Sequence, residues 1–237
     1  MTAGSPVHGS PRWRLRLCFS KTGRLRFISH LDFIRAFERA VRRAGLPVSM
    51  SEGFSPAPRI AYGWPLPVGM AGLGEYLDME LKRRVPPEEV AGRLNRSLPE
   101  GLTVHDARYV TPHGPSLMSE LDTGTYLVRV SAGGRSLGEW REAAARLLGR
   151  DRLEVTRERG GAGDGPVRAK VVDVRPLVRR LEAREVAGDE VVLYMELALT
   201  GHGVGRPEEV AALLWRELGL DPGAGPGQVS AVRLGLR

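Results

Sequence analysis

Residues 26 to 47 read RFISHLDFIRAFERAVRRAGLP, with His30 and Asp32 at the start of a helical pattern and Arg35, Arg39, Arg42 and Arg43 along it. Two chemistries are open to this set. A neutral imidazole, its pKa depressed by the positive end of a helix dipole, accepts or relays a proton, as a metal-independent endoribonuclease requires of its general base or acid. Nearby arginines would then stabilise the charged transition state. Alternatively, a row of arginines on one helix face binds the phosphates of RNA without any reaction. Each has a plainer counterpart: a first-turn histidine satisfied by a backbone partner, and a solvated charged face. A nucleophile, a base and an orienting group do not assemble from this stretch alone, so the leading reading names no catalytic residue and His30 is catalytic only in the runner-up.

A helix positions these groups. Ser29 is its N-cap with Asp32 in the capping-box position, and Gly45 followed by Pro47 ends it. At 3.6 residues per turn Leu31, Ile34, Phe37, Val41 and Ala44 share one broad arc, expected to be buried on a sheet, while the arginines take the opposite side. His30 falls on the apolar side. Charge distribution favours the phosphate-binding reading. Residues 1–60 hold eleven basic and three acidic side chains, a net of +8, whereas residues 114–237 hold eighteen of each. All the excess is at the front, which points to a local anion-binding surface more firmly than the arginine count does, since 32 of the 35 basic residues are arginine throughout. Arg24, Arg26 and Arg59 flank the helix in sequence and extend the proposed RNA surface.

The single cysteine, Cys18, excludes an internal disulfide, a cluster held by this chain alone and a cysteine-based zinc site. His8, His30, His105, His113 and His202 include no pair at helical metal-binding spacing, so no metal and no cofactor is expected. No apolar run approaches the roughly 20 residues of a membrane helix, and the N-terminus lacks the apolar stretch of a signal peptide. A cytoplasmic protein without membrane association is expected, with a disordered N-terminus at 1–11.

The pattern of elements predicts an α+β chain of two tandem ferredoxin-like (βαββαβ) halves. The first, 12–110, runs through the strand RWRLRLCF, the arginine helix, strands PRIAYGW and EYLDMELK, the helix PPEEVAGRLNRSL and the strand LTVHDARYV. Arg14 and Arg16 are expected to pair with Asp78 and Glu80 across the first and third strands. Residues 111–124 read as a linker. The second half, 125–237, repeats the order through TYLVRVS, a Ser136/Glu139-capped helix, RLEVTRE, EVVLYMELAL, the helix RPEEVAALLWREL and VSAVRLGL. An insertion, GPVRAKVVDVRPLVRRLEA, adds a strand and a short helix, preceded by the glycine-rich loop RGGAGDGP. Two further loops could hold ligands. Ser51, Phe54 and Ser55 offer polar and aromatic contacts; His202 and Arg206, in TGHGVGRPEE, precede a helix N-terminus of the kind that binds phosphate or carboxylate. The first is equally a plain connection, as is GMAGLG, whose backbone amides could cradle an anion but which matches no nucleotide-binding fingerprint; the second has low specificity and is more often a plain connection.

The stretch KTGRLRFISHLDFIRAFERAVRRAGLPVSMSEGFSPAPRIAYGWPLPVG, with GEYLDMEL and LNRSLPEGL after it, closely resembles the radical SAM-linked protein family, bacterial proteins found beside or fused behind a radical SAM protein. The likeness is dense over 12–110 and continues in VDVRPLV and GRPEEV, although GHGVGRPEE replaces the family's run of small polar residues. The resemblance implies association with a separate radical SAM enzyme, since the family lacks the three-cysteine motif of those enzymes. The general plan, a basic first helix bearing a histidine on tandem ferredoxin-like halves, is also similar to that of CRISPR repeat-processing RNA-binding proteins, a likeness of architecture alone. The leading expectation is a non-catalytic accessory protein that binds RNA, tRNA or rRNA among the candidates, and works with the radical SAM enzyme in RNA modification. The alternatives are the endoribonuclease and a protein-interaction adaptor for that enzyme.

Overall fold

A computed structural model describes residues 13–159, 168–221 and 229–237. The N-terminus expected to be disordered and, Arg159 apart, the loop RGGAGDGP fall outside these residues. The chain is of mixed α+β type and divides into two units, Met1–Glu120 and Leu121–Arg237.

The first unit runs β1 (Trp13–Lys21), a 3-10 turn (Gly23–Phe27), α1 (His30–Arg43), β2 (Ile60–Tyr62), β3 (Ala71–Leu81), α2 (Pro87–Asn95), β4 (Leu102–Tyr109) and α3 (Leu117–Glu120). Its sheet has the order β4-β1-β3-β2, every neighbouring pair antiparallel. Strand parity sends Leu15, Leu17, Phe19, Leu77, Met79 and Leu81 into one core with Phe33, Phe37 and Val41 of α1 and Val90 and Leu94 of α2. The cap of α1 forms as its sequence dictates: Ser29 Oγ accepts from the amide of Asp32 at 3.1 Å, and Gly45, at φ +58°, takes the left-handed conformation that ends the helix. The buried arc is narrower than expected. It is centred on Phe33 and Phe37, so Ile34 is only half-buried and Leu31, 65% exposed, lies among the arginines instead. Stacking of Phe33 on Phe19, ring centroids 5.5 Å apart, fixes this rotation of the helix.

On the opposite sheet face Arg16 lies across from Asp78 and Arg14 across from Glu80. Both guanidiniums turn to Asp78 all the same, Arg14 through Nε at 2.8 Å and Arg16 through Nε at 2.8 Å, and Arg16 also bonds Glu120. Arg14 donates further to the carbonyls of Gly114 and Pro115. These contacts seat α3, inside the expected linker, on the sheet. Leu117 is buried there, and β5 begins before the linker's expected end.

The second unit runs β5 (Thr123–Ser131), α4 (Leu137–Leu148), β6 (Glu154–Arg159), β7 (Arg168–Asp173), a 3-10 turn (Arg175–Leu177), β8 (Val178–Ala187), β9 (Glu190–Thr200), β10 (Gly203–Val204), α5 (Pro207–Glu217) and β11 (Ser230–Leu236). Its sheet has the order β11-β5-β9-β8, again antiparallel, with β10 paired to the end of β9. Glu139 and Ser136 form the full capping box of α4. One assignment changes. The strand RLEVTRE, expected in the main sheet, is β6, which among the described residues pairs with β7 alone in a separate hairpin. Its place beside β9 goes to β8, which β9 follows after only Gly188 and Asp189, so the local hairpin forms in preference to the distant pairing.

Candidate nucleic-acid interface and an adjoining cavity

Arg35, Arg39 and Arg42 all project into solvent from α1. Asp32 lies 3.5 Å from Arg35, both groups well exposed, so the pair is weak. Arg43 is tied down instead, donating to the carbonyl of Ser97. Arg24 and Arg26 are exposed in the 3-10 turn that leads into α1, and the Arg26 guanidinium sits 4.6 Å from the centre of the Phe27 ring, itself 58% exposed. An aromatic face beside cationic side chains is the arrangement on which unpaired bases stack. Arg59 does not join this group. It donates to the carbonyl of Met50 and lines a hollow with Arg14, Asp78 and Glu80 on the sheet face away from α1.

The remaining loop residues are also scattered. Ser51 accepts from the amide of Ala57 and so closes its own loop, at whose tip Phe54 and Ser55 are fully exposed. His202 is exposed in the turn between β9 and β10, and Arg206 lies 3.5 Å from Glu209, which also accepts two hydrogen bonds from Arg157. Glu208 and Glu209 occupy the first turn of α5, a poor setting for an anion.

His30 is half-buried and lines a small cavity with Lys21, Phe33, Tyr62, Trp64, Glu75 and Tyr76 among others. Its ring lies 6.1 Å from both Phe33 and Tyr62. Burial, then the charge of Lys21, lowers the pKa of His30, so the neutral form that the helix dipole alone was expected to favour has a different principal cause. Lys21 is 3% exposed; its Nζ donates to the carbonyl of Ile28 at 3.3 Å, and burial lowers its pKa against the opposing pull of Glu75. Glu75 is equally buried. Gly72 makes room for its carboxylate, since a Cβ there would collide with it. The Tyr62 hydroxyl is buried with no hydrogen-bond partner among the described residues, and burial above all raises its pKa.

The sequence reading missed Lys21, Tyr62, Trp64, Glu75 and Phe27. Two of them had a signal. Lys21 continues the inward row Leu15, Leu17, Phe19 on β1, and Glu75 begins the inward row Leu77, Met79, Leu81 on β3, so each places a charge where parity calls for an apolar side chain. Among the described residues no group of three or more His, Cys, Asp or Glu side chains is placed to hold a metal ion. No helix among them is long and apolar enough to cross a membrane.

Fold and site thus define an α+β protein with antiparallel sheets, an arginine-faced helix and a polar cavity at the start of that helix. Residues 14–207 match the family described as an uncharacterized protein conserved in bacteria (DUF2344), and the chain belongs to that family. No curated protein matches the chain. Among solved structures it is similar to an unknown protein from Galdieria sulphuraria, with 13% identity, 93% of this chain and 96% of that one covered and a TM-score of 0.26. It is also similar to a putative glycine cleavage system transcriptional repressor, with 13% identity, coverage of 93% and 95% and a TM-score of 0.23. At such TM-scores neither likeness bears on fold or function.

Proposed function

We propose that the protein is a cytoplasmic RNA-binding accessory factor, each unit a variant of the ferredoxin-like plan, that presents RNA to a separate radical SAM enzyme. The observation that carries the RNA reading is the exposed row Arg35, Arg39 and Arg42 on α1, where the one ion pair among the described residues is the exposed contact of Arg35 with Asp32 at 3.5 Å, and Glu38 is the other acid of the helix. Spacing along one face suits successive phosphates, and Phe27 beside Arg26 adds a stacking surface. The enzyme partner rests on the sequence resemblance. A second reading, the endoribonuclease, draws support from the position of His30 in a cavity with Lys21.

The test reverses Arg35, Arg39 and Arg42 to glutamate and compares binding of single-stranded RNA with that of a control carrying Arg152, Arg184 and Arg216 reversed, all exposed in the second unit. The α1 variant should lose binding and the control keep most of it. Wild-type affinity should fall with salt with a log-log slope of about −2 from this ridge. Equal losses would mean that binding follows bulk charge. Absence of binding at low salt would favour the protein adaptor, and metal-independent cleavage lost on His30→Ala would favour the nuclease.

A further inference from the structure

The loop between α1 and β2 carries an apolar tip on a braced base. Met50 and Pro58 form an antiparallel bridge, the amide of Ser51 donates to the carbonyl of Ala57 at 2.8 Å, and the amide of Arg59 donates to the carbonyl of Ser49 at 2.8 Å. The amide of Ser49 in turn donates to the carbonyl of Glu80, so the base is tied to β3, and Val48, Ser49 and Pro58 are buried there. At and beyond this clasp Met50, Phe54, Pro56 and Ala57 are exposed, Phe54 completely. Pro56 and Pro58 fix two φ angles and the Ser51 hydroxyl accepts from the amide of Ala57, so the loop has little freedom left to lose when a partner grips it. Single apolar residues scattered over a surface need no explanation; four on one braced loop do.

Charge selects the kind of partner. Glu52 is the one ionisable residue from 50 to 58, and Arg59, which follows, turns its Nε back to the carbonyl of Met50. RNA and anionic membranes both present phosphates, for which this tip supplies no cation, whereas Phe27 stands beside Arg26. A two-fold contact between copies of the loop would bring Glu52 against Glu52. An apolar pocket on another protein meets neither obstacle, and a rigid aromatic ring is the side chain that most often anchors such a contact. We infer that loop 50–58 is the protein-docking element of this chain, Phe54 entering an apolar pocket on a partner protein. The inference draws on the accessory-factor reading for the existence of a protein partner, while RNA binding by α1 stands or falls without it.

The test places the photoreactive p-benzoylphenylalanine at position 54 of the full chain in its own cell, with the same group at the exposed position 171 of the second unit as control. Irradiation should crosslink position 54, and not 171, to one protein. That protein, purified, should bind Phe54→Ala about tenfold or more weakly than the wild type, the loss expected when a buried phenylalanine is truncated, and Phe54→Leu should lose less. Both variants should keep the wild-type urea midpoint and the wild-type affinity for single-stranded RNA. Crosslinks from position 54 to RNA, to lipid, to a second copy of this chain or to the same proteins as position 171 would overturn the inference, as would the absence of any crosslink or equal affinity of the alanine variant. RNA binding lost in Phe54→Ala would assign the loop to the RNA surface instead and overturn it too. If the wild type binds no RNA while the crosslinked protein still discriminates against Phe54→Ala, the arginine ridge loses its role and the docking loop keeps its own.

Discussion

Helices α1 and α4 hold the same topological position in their units, each crossing from the first strand after a serine cap, yet their arginines are handled in opposite ways. On α4 Arg146 is shared between Glu142 and Glu217, Arg141 donates to the carbonyl of Ala183, and Arg135, just before the helix, pairs with Glu139. On α1 Asp32 is the one acid among the described residues within ion-pair distance of the exposed Arg35, and Arg35, Arg39 and Arg43 stand four residues apart, a spacing at which like charges repel. The fold therefore accommodates a neutralised helix in this position and does not require a positive one. What the unbalanced charge on α1 costs in stability is consistent with use of that face by a partner.

The comparison breaks most visibly at the buried charges of the first unit. Asp78→Ala removes the carboxylate that Arg14 and Arg16 share, leaving Arg16, which is 6% exposed, with Glu120 alone of its two acids, and should destabilise the protein by about 3 kcal/mol in urea denaturation. Glu142→Ala, which removes an exposed acid from α4, should leave the midpoint unchanged. If the two cost the same, the division into buried structural pairs and surface charges is wrong.

A smaller effect should appear with pH. The pKa of His30 is lowered in the folded state below its ordinary 6.5 by burial and by Lys21, with Glu75 and the hydroxyls of Tyr62 and Tyr76 also lining the cavity. The unfolded chain then binds more protons than the native one as the pH falls through 6.5, so stability is lost on acidification. The wild type should lose more stability than His30→Gln between about pH 7 and pH 5 in urea titrations. Parallel curves would mean that His30 is as free to protonate in the folded protein as in the unfolded chain.

The smallest expected effect has the opposite sign. Arg39→Glu replaces two repulsions with attractions toward Arg35 and Arg43 and should raise stability by about 0.5 kcal/mol while weakening RNA binding. A loss of stability would mean that Arg39 has a structural role that its exposure conceals.

Much of the first unit was legible because its signals are local. Parity set the core of β1 and β3, and Ser29 and Gly45 marked the ends of α1. The rotation of α1 was read too broadly, since the contact that fixes it, Phe33 on Phe19, joins two elements. The placement of β6 failed for the same reason: its residues suit a strand anywhere, and only the tight β8–β9 turn decides which strand enters the main sheet. At the site, the arginine row was readable from spacing, whereas the cavity unites Lys21, Glu75 and Tyr62 from three strands and exists only in the folded chain. The separation of Arg59 from α1 likewise follows from the sheet that intervenes.

The hairpin of β6 and β7 leaves and rejoins the second unit at nearly one point. The amide of Leu153 donates to Asp173, the amide of Val174 donates to the carbonyl of Leu153, and Arg175 reaches the carbonyl of Leu148 at the end of α4. With the two crossings clasped in this way the hairpin is an insertion outside the strand order of the main sheet, tied back by Arg157 of β6 to Glu209 of α5 and to the carbonyl of Val204: a short turn in its place closes the chain at little entropic cost but gives up that ion pair.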